Sequence, residues 1–362
     1  MQYDDAINSF HSLGEEIRSF LSEDLTIPSP IGRGESHWAE TIALAEQENA
    51  WFTRDNILSA LKGISLWLNK DVLNRWLSSY PELDFNNSPP KTIGVVMAGN
   101  IPLVGFHDFL CVLMSGNILH TKLSSSDSRL LKFLEDRLID IESEWKNRIH
   151  FVEKLNTGID AVIATGSNNT AKHFEYYFKN IPHIIRRNRN GIAILDGTET
   201  NLELHTLGKD IFSYFGLGCR NVSKLYVPEG YVFDNFFINI EGYKSVINHN
   251  KYHSNYVYNR TIYLMDGKKF TDNGFLAVIN NPQLSSPIAV LNFEEYSDIK
   301  KLEQELIGIK EQIQCVAVSE KYIKAQNFVP LPVVRIGETQ SPSITDYADG
   351  VDVMKFLPEL KH

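Results

Sequence analysis

The sequence predicts an α/β protein built on parallel sheets, and three features predict it. From Thr92 onward, short apolar runs alternate with longer amphipathic ones. Before that point the apolar spacing stays near the helical period. Near Ile192 the alternation starts afresh, which divides the α/β part in two. Such alternation builds parallel sheets whose ligands lie at the carboxyl ends of the strands.

Bulk composition narrows the function classes. The 362 residues suit about two domains, and 43% hydrophobic with 22% charged residues is ordinary globular composition. A net charge of −10 argues against general nucleic-acid binding, which favours a basic face. Three cysteines make no disulfide framework and fit a reducing compartment. The acidic opening "MQYDDAINSFHSLGEE" lacks the basic-then-apolar layout of a secretory signal. No apolar run approaches the roughly 18–20 residues that span a membrane. A soluble, cytoplasmic protein is expected, with no metal centre.

The elements follow in order. "AINSFHSLGEEIRSFLSE", "SHWAETIALAEQENAWF" and "TRDNILSALKGISLWLNKDVLNRWLSS" read as helices, with Ser36 and Thr53 as N-caps. "PELDFNNSPPK" is a break rich in Pro and Asn. "TIGVVMAG" is a strand, "PLVGFHDFLCVLMSG" a buried helix, "NILHTKL" a strand and "SSDSRLLKFLEDRLIDIESEW" an amphipathic helix. "IHFVEKL" and "DAVIATG" are strands, and "SNNTAKHFEYYFKN" is a helix. The second series runs through "GIAILDG", a helix around "LELHTLGKDIFSYF", then "VSKLYVPEG", "SPIAVLNF", "DIKKLEQELIGIKEQI" and "QCVAVSE". Beyond Asn327 the chain is richer in Pro and Gly and ends in a short apolar segment.

Chemistry concentrates in "GLGCRNVS". Cys219 has Gly216 and Gly218 on one side and Arg220 on the other, which suits a nucleophilic thiolate with room for a carbonyl and positive potential nearby. Cys111 and Cys315 sit inside apolar runs and read as packed core residues. "GVVMAGNIPLVG" puts Asn100 just after a strand, and "SGNILHTKLSSS" puts Lys122, Ser124 and Ser125 after the next. "AVIATGSNNT" puts Gly166 and Ser167 between a strand and a helix start, where anionic phosphates are favoured.

This succession resembles the aldehyde dehydrogenase superfamily, whose corresponding motifs run PWN, GNxVVxKPSE, FTGS and GQxCxxxxR. The resemblance spans about Thr92 to Val318 and is similar above all to LuxC-type acyl-CoA reductases. It implies a parallel-sheet cofactor domain, an α/β catalytic domain and an oligomerisation extension, in a homodimer or homotetramer. The boundaries expected are 1–190 for the helical region with the cofactor domain, 191–326 for the catalytic domain, and 327–362 for the C-terminal return and oligomerisation segment. By the same resemblance Cys219 is the nucleophile, and Asn100 with the Cys219 amide holds the oxyanion. Lys122, Ser124, Ser125, Gly166 and Ser167 contact the cofactor.

Departures from the superfamily pattern shape the functional expectation. Ser125 stands where NAD-preferring members carry an acid, so NADPH is the expected cofactor, with Arg129 close to that turn. The region matching the ELGG motif is "IIRRNRNGIAILDG", with no carboxylate before Asp196 to activate water. Arg186, Arg187 and Arg189 offer contacts to phosphates of the cofactor or of coenzyme A, and Glu199 is a candidate acid or substrate contact. Pro287 fits the later E-x-F-G-P motif, but its Glu and Phe are missing. The implied activity is reduction of an acyl thioester, from coenzyme A or an acyl carrier, to the aldehyde through acyl-Cys219. A glutamyl-phosphate-type reductase and a hydrolytic aldehyde dehydrogenase are the alternatives within the superfamily. A non-catalytic binding or scaffold subunit is the alternative from a different class.

Overall fold

The computed structural model describes residues 2–22, 35–81, 83, 89–155, 158–325, 328 and 330–360. It divides into two compact units, Met1–Arg187 with Ser343–His362, and Asn188–Pro342.

The first unit opens with α1 (Tyr3–Ser22), α2 (Glu35–Glu48), α3 (Arg54–Trp67) and α4 (Lys70–Leu77). In α1 the buried residues Ala6, Phe10, Leu13, Ile17 and Phe20 recur at helical spacing and form one stripe. Phe10 meets Phe109 at 6.3 Å and Trp145 at 5.3 Å, both edge-on. The sequence predicts one long third helix, but two form. Leu68 closes α3, and the Asn69 side chain restarts the chain by accepting Asp71 N–H at 2.9 Å. Thr53 caps α3 as expected, accepting Asn56 N–H. Ser36, the other expected N-cap, falls inside α2, which spans Glu35–Glu48. The Pro/Asn-rich break after Pro81 lies largely outside the described residues.

Strands β1 (Thr92–Val96), β2 (Ile118–Lys122), β3 (Ile149–Phe151), β4 (Ala161–Thr165) and β5 (His183–Arg186) pair in the order β3-β2-β1-β4-β5, all parallel. Helices α5 (Phe106–Met114), α6 (Leu130–Ile141) and α7 (Asn168–Tyr177) connect them. The C-terminal residues return to this unit. Val353, Met354 and Leu357 of the last helix join its core. Tyr347 Oη accepts Trp76 Nε1–H at 2.7 Å, and Tyr80 Oη lies 2.6 Å away.

The second unit carries β6 (Asn190–Ile194), α8 (Asn201–Phe212), β7 (Val222–Pro228), α9 (Asp234–Ile240), α10 (Asn250–Met265), β8 (Phe270–Asp272), β9 (Ala277–Asn280), β10 (Val290–Tyr296), α11 (Ile299–Gly308), β11 (Ile313–Val318), α12 (Glu320–Lys324) and β12 (Val333–Arg335). Its strand order is β12-β11-β6-β7-β10-β9-β8, parallel except for the antiparallel edge strand β8. Ile192, Ile194, Tyr226, Leu302, Leu306, Val316 and Val318 form a core between the sheet and α11. The expected boundary at 326/327 falls on residues outside the described set.

Candidate active site

The sequence-predicted residues fall into two groups. Asn100, Lys122, Ser124, Ser125, Gly166, Ser167, Arg186 and Arg187 belong to the first unit; Glu199 and Cys219 belong to the second.

In the first unit, β2, β1 and β4 are adjacent and parallel, so their carboxyl ends share one edge. Lys122 ends β2, Asn100 follows β1, and Gly166 and Ser167 follow β4. The strand order reverses direction at β1, which makes the β1/β4 edge a topological switch point. Ser167 caps α7, its Oγ accepting Thr170 N–H at 3.2 Å. Unpaired amides in a first helical turn stabilise phosphates. Lys122 and Ser125 are exposed there, while Ser124 Oγ accepts Ser126 N–H at 3.2 Å. These donors and the open edge fit a dinucleotide.

The Asn100 loop is fixed from both sides. Gly99 leaves no room for a side chain, since a Cβ would lie 2.5 Å from Ser124 Oγ. Beyond Asn100, Leu103 takes a left-handed φ of 57° and donates its N–H to Asp127 Oδ2 at 2.7 Å. Asp127 is buried, and burial pushes its carboxyl up to about 6. Sequence reasoning missed this latch.

The latch has a pH signature. With its folded value above the ordinary carboxylate value, the native state takes up a proton that the unfolded chain does not hold between about pH 4 and 6. This group's contribution to stability therefore falls as pH rises through that window. Asp127→Asn keeps an Oδ1 acceptor for Leu103 and removes the titration. Its stability relative to the parent is expected to rise from pH 4 to pH 6 and then level off, read from urea unfolding midpoints. A constant difference across that range would contradict the burial assigned to Asp127.

The arginines expected to meet phosphates are otherwise engaged. Arg186, buried at the end of β5, forks onto both carboxylate oxygens of buried Asp108 in α5, with Nη2 to Oδ1 at 2.8 Å. It ties strand to helix and is not presented to a ligand. Arg187 forms a surface pair with Glu175 of α7 at 2.5 Å. Arg129 donates Nε–H to Glu48 of α2 at 3.0 Å. Arg189, in the second unit, reaches Glu311 at 3.1 Å.

In the second unit, Cys219 is exposed in the loop that enters β7, whereas Cys111 and Cys315 are buried. The loop is strained. Tyr214 (φ 52°, ψ 27°), Phe215 (φ 57°, ψ 25°) and Gly216 (φ 78°) are consecutive left-handed residues. For the two side-chain-bearing residues that costs about 1–2 kcal/mol each, and strain of this kind persists only where surrounding contacts enforce it. Those contacts are visible. Phe215 packs on His249 at 4.3 Å. Buried Asn221 accepts Gly218 N–H at 2.8 Å and donates Nδ2–H to Asp210 O at 3.0 Å and Ser213 O at 2.9 Å. Arg220 donates Nε–H to Thr339 O at 2.5 Å. Gly191 of β6 is required because a Cβ there would lie 2.5 Å from Asn221 O. Among the described residues no carboxylate forms an ion pair with Arg220, the residue that follows Cys219.

The strand registers settle where Glu199 lies. Gly191 pairs with Val222 and Ile194 with Tyr226, so β6 and β7 run side by side in one direction. Cys219 precedes the start of β7; Asp196 and Glu199 follow the end of β6. They therefore occupy opposite edges of the sheet. Glu199 accepts Asp196 N–H at 2.5 Å and Gly197 N–H at 3.2 Å, closing the turn before α8, and Asp196 pairs with Lys321. Neither carboxylate lies beside Cys219. Pro287 precedes β10, which runs parallel to β7, and so sits at the Cys219 edge; Ser223 Oγ–H reaches Leu284 O in that loop at 2.8 Å.

Residues 34–236, more than half of the sequence, match the family described as acyl-CoA reductase (LuxC). The chain belongs to that family. Asn100, Lys122, Ser167 and Cys219 lie inside the matched stretch; Thr339 lies beyond it. Membership places the chain among oxidoreductases acting on aldehyde and acyl groups. No curated protein matches the sequence. Among solved structures the fold is shared with aldehyde dehydrogenase 21 from Physcomitrella patens, in complex with the reaction product succinate. That likeness has a TM-score of 0.67 at 12% identity, covering 100% of this chain and 85% of the other. Similar too is an aldehyde dehydrogenase of Mycobacterium tuberculosis complexed with NAD+, with a TM-score of 0.61, 12% identity and coverages of 91% and 77%. A glyceraldehyde-3-phosphate dehydrogenase from Methanocaldococcus jannaschii complexed with NADP gives a TM-score of 0.63 at 11% identity, covering 100% and 88%. The aldehyde dehydrogenase fold expected from the sequence is thus the fold observed. No described helix is long and apolar enough to cross a membrane.

Proposed function

We propose that the protein reduces an acyl thioester, an acyl-CoA or a related carrier thioester, to the aldehyde, with NADPH as cofactor and Cys219 as nucleophile. The observation that carries this reading is the exposed cysteine in a strained, clamped loop, within a chain of the acyl-CoA reductase family. Cys219 thiolate attacks the thioester carbonyl, the carbonyl oxygen becomes an oxyanion, and the carrier thiolate leaves as the acyl-Cys219 bond forms. Asn100 and the Cys219 amide are the oxyanion donors in this reading, and losing one such donor costs about 2.7–4 kcal/mol. Arg220 supports the thiolate before attack. The cofactor would be held by Lys122, Ser124 and Ser125 at the β2 end and by Gly166 and Ser167 at the start of α7. When bound, it supplies the hydride that reduces the acyl group. The domain roles follow: the first unit binds the cofactor and the second carries the nucleophile, in a homodimer or homotetramer.

Acyl-CoAs of graded chain length with NADPH test the proposal directly. Loss of nicotinamide absorbance with aldehyde formed in equal amount is the expected result. Absence of turnover with every acyl thioester would overturn it.

Cofactor choice rests on Ser125, exposed at the β2 end with no acid in the turn from Lys122 to Ser126. A carboxylate there would accept ribose hydroxyls and repel a 2′-phosphate. NADPH is expected to be preferred, and Ser125→Glu should move the kcat/KM ratio towards NADH by about tenfold or more. Better use of NADH by the unmodified protein would refute the assignment.

A further inference from the structure

We propose that Asp210 is a positioning residue for the Cys219 loop, acting through Thr339 and Arg220; the proposal rests on Cys219 being the nucleophile. Asp210 lies in the last turns of α8 and is fully buried. Its carboxylate accepts Gly337 N–H at 2.6 Å, Thr339 N–H at 3.1 Å and Thr339 Oγ1–H at 2.8 Å. Two donors from one residue fix the orientation of Thr339, and its carbonyl then faces Arg220 Nε at 2.5 Å. Arg220 directly follows Cys219 in the chain.

The same helix turn grips the loop a second time. Asp210 O accepts Asn221 Nδ2–H at 3.0 Å, and Asn221 Oδ1 holds Gly218 N–H at 2.8 Å. Cys219 is therefore flanked by fixed points at residues 218, 220 and 221: the Asp210 carboxylate acts on 220 through Thr339, and its backbone carbonyl shares Asn221, and so 218 and 221, with Ser213 O. The segment carrying Thr339 sits hard against α8: Gly337 has φ +92°, and a Cβ there would lie 2.7 Å from the Thr206 Cβ.

A buried carboxylate is an expensive way to pack a loop on a helix, because apolar contacts would do it without desolvating a charge. The adjacent Lys209 makes no ion pair with it: its Nζ turns to Ser341 Oγ at 3.4 Å, and its charge only partly offsets the burial of the carboxylate. What the carboxylate adds is direction. It accepts two backbone amides and a hydroxyl at set angles, and so aims the Thr339 carbonyl at Arg220. Freed from that carbonyl, Arg220 would no longer anchor the chain directly after Cys219.

Thr339→Val and Thr339→Ser test this in the full-length protein. Valine keeps the shape and the amide but removes the hydroxyl donor; serine restores the donor. Two readouts are needed. The first is single-turnover acylation by an acyl-CoA that the parent uses. The second is the pH profile of iodoacetamide alkylation at Cys219, resolved by intact mass with Cys111 and Cys315 buried. Thr339→Val should slow acylation by about tenfold, the scale of one lost hydrogen bond to a charged group, with the donor KM changed by less than about twofold. Its alkylation midpoint should move to higher pH. Thr339→Ser should restore both. A parent that is never acylated, with the alkylation shift still present in the valine variant, would sink the nucleophile reading and keep the loop proposal. Unchanged acylation and alkylation in Thr339→Val, whatever happens to its thermal midpoint, would overturn the proposal and reduce Asp210 to a structural residue.

Discussion

Cys219→Ala is expected to abolish both acyl-enzyme formation and aldehyde production, while Cys111→Ala and Cys315→Ala leave acylation largely intact. The three thiols differ in surroundings more than in chemistry. Cys111 is fully buried on α5, 3.9 Å from His107 Nδ1, and burial pushes its thiol well above the ordinary value. It is a neutral core group with no route to a substrate. Cys315 is fully buried in β11, and its Sγ–H points to Arg220 O at 3.7 Å. Cys219 alone is exposed, and it follows a glycine in a loop that other residues hold in place. Removing an exposed side chain should change stability by within about 0.5 kcal/mol, so loss of activity in Cys219→Ala reports chemistry and not folding. Intact mass after incubation with an acyl-CoA reads the outcome. A stable adduct on the Cys219→Ala protein would show that the nucleophile is another group.

How much of this was legible beforehand depended on the range of the interactions involved. Strand and helix periods are local, so β1, β2, β4, β6 and β7 stand where the alternation places them. The break at Leu68–Asn69 escaped because the apolar period runs on through it and one side-chain cap decides it. β5 was hidden in "HIIRRNRN", where arginines drew attention to ligands, yet Arg186 is buried by its ion pair with Asp108. α10 went unread because tyrosines and an asparagine carry its buried face, Tyr252, Tyr256, Asn259 and Tyr263, in place of aliphatic residues. Cys219 was legible from its glycines and from the order of the motifs. Its clamps were not. Thr339 is 119 residues from Arg220, and Asp210 ends an apolar helix where only the folded chain shows what it binds. Glu199 looked eligible because sequence order says nothing about which edge of a sheet a residue reaches.

Acyl-Cys219 is expected to persist when no NADPH is present, and to release aldehyde, not free fatty acid, once NADPH is added. Hydrolysis needs a water held and deprotonated beside the thioester, and such general-base help is worth about 10²–10⁴-fold. The carboxylates described for the second unit are engaged elsewhere: Asp210, behind the Cys219 loop, is buried and accepts Gly337 N–H, Thr339 N–H and Thr339 Oγ1–H. Asp196 and Glu199 lie at the far edge of the sheet from Cys219, one paired with Lys321 and the other committed to backbone amides. The stretch that leads into β6 at the near edge is Arg187-Asn188-Arg189, without a carboxylate. Glu311 does reach that edge, ahead of β11, but it pairs with Arg189 at 3.1 Å. It also leads into β11, the strand beyond β6, which lies about 10 Å from β7 across two strand spacings. Thiol exchange needs no such base, because the leaving carrier thiolate is a good leaving group and no water takes part. Loading and reduction can therefore run where hydrolysis stalls. The measurement is to load the protein with a labelled acyl-CoA, remove excess donor, and time release with and without NADPH. Rapid appearance of free acid without cofactor would mean that a base outside those named activates water, and the reductase reading would give way to a hydrolytic aldehyde dehydrogenase.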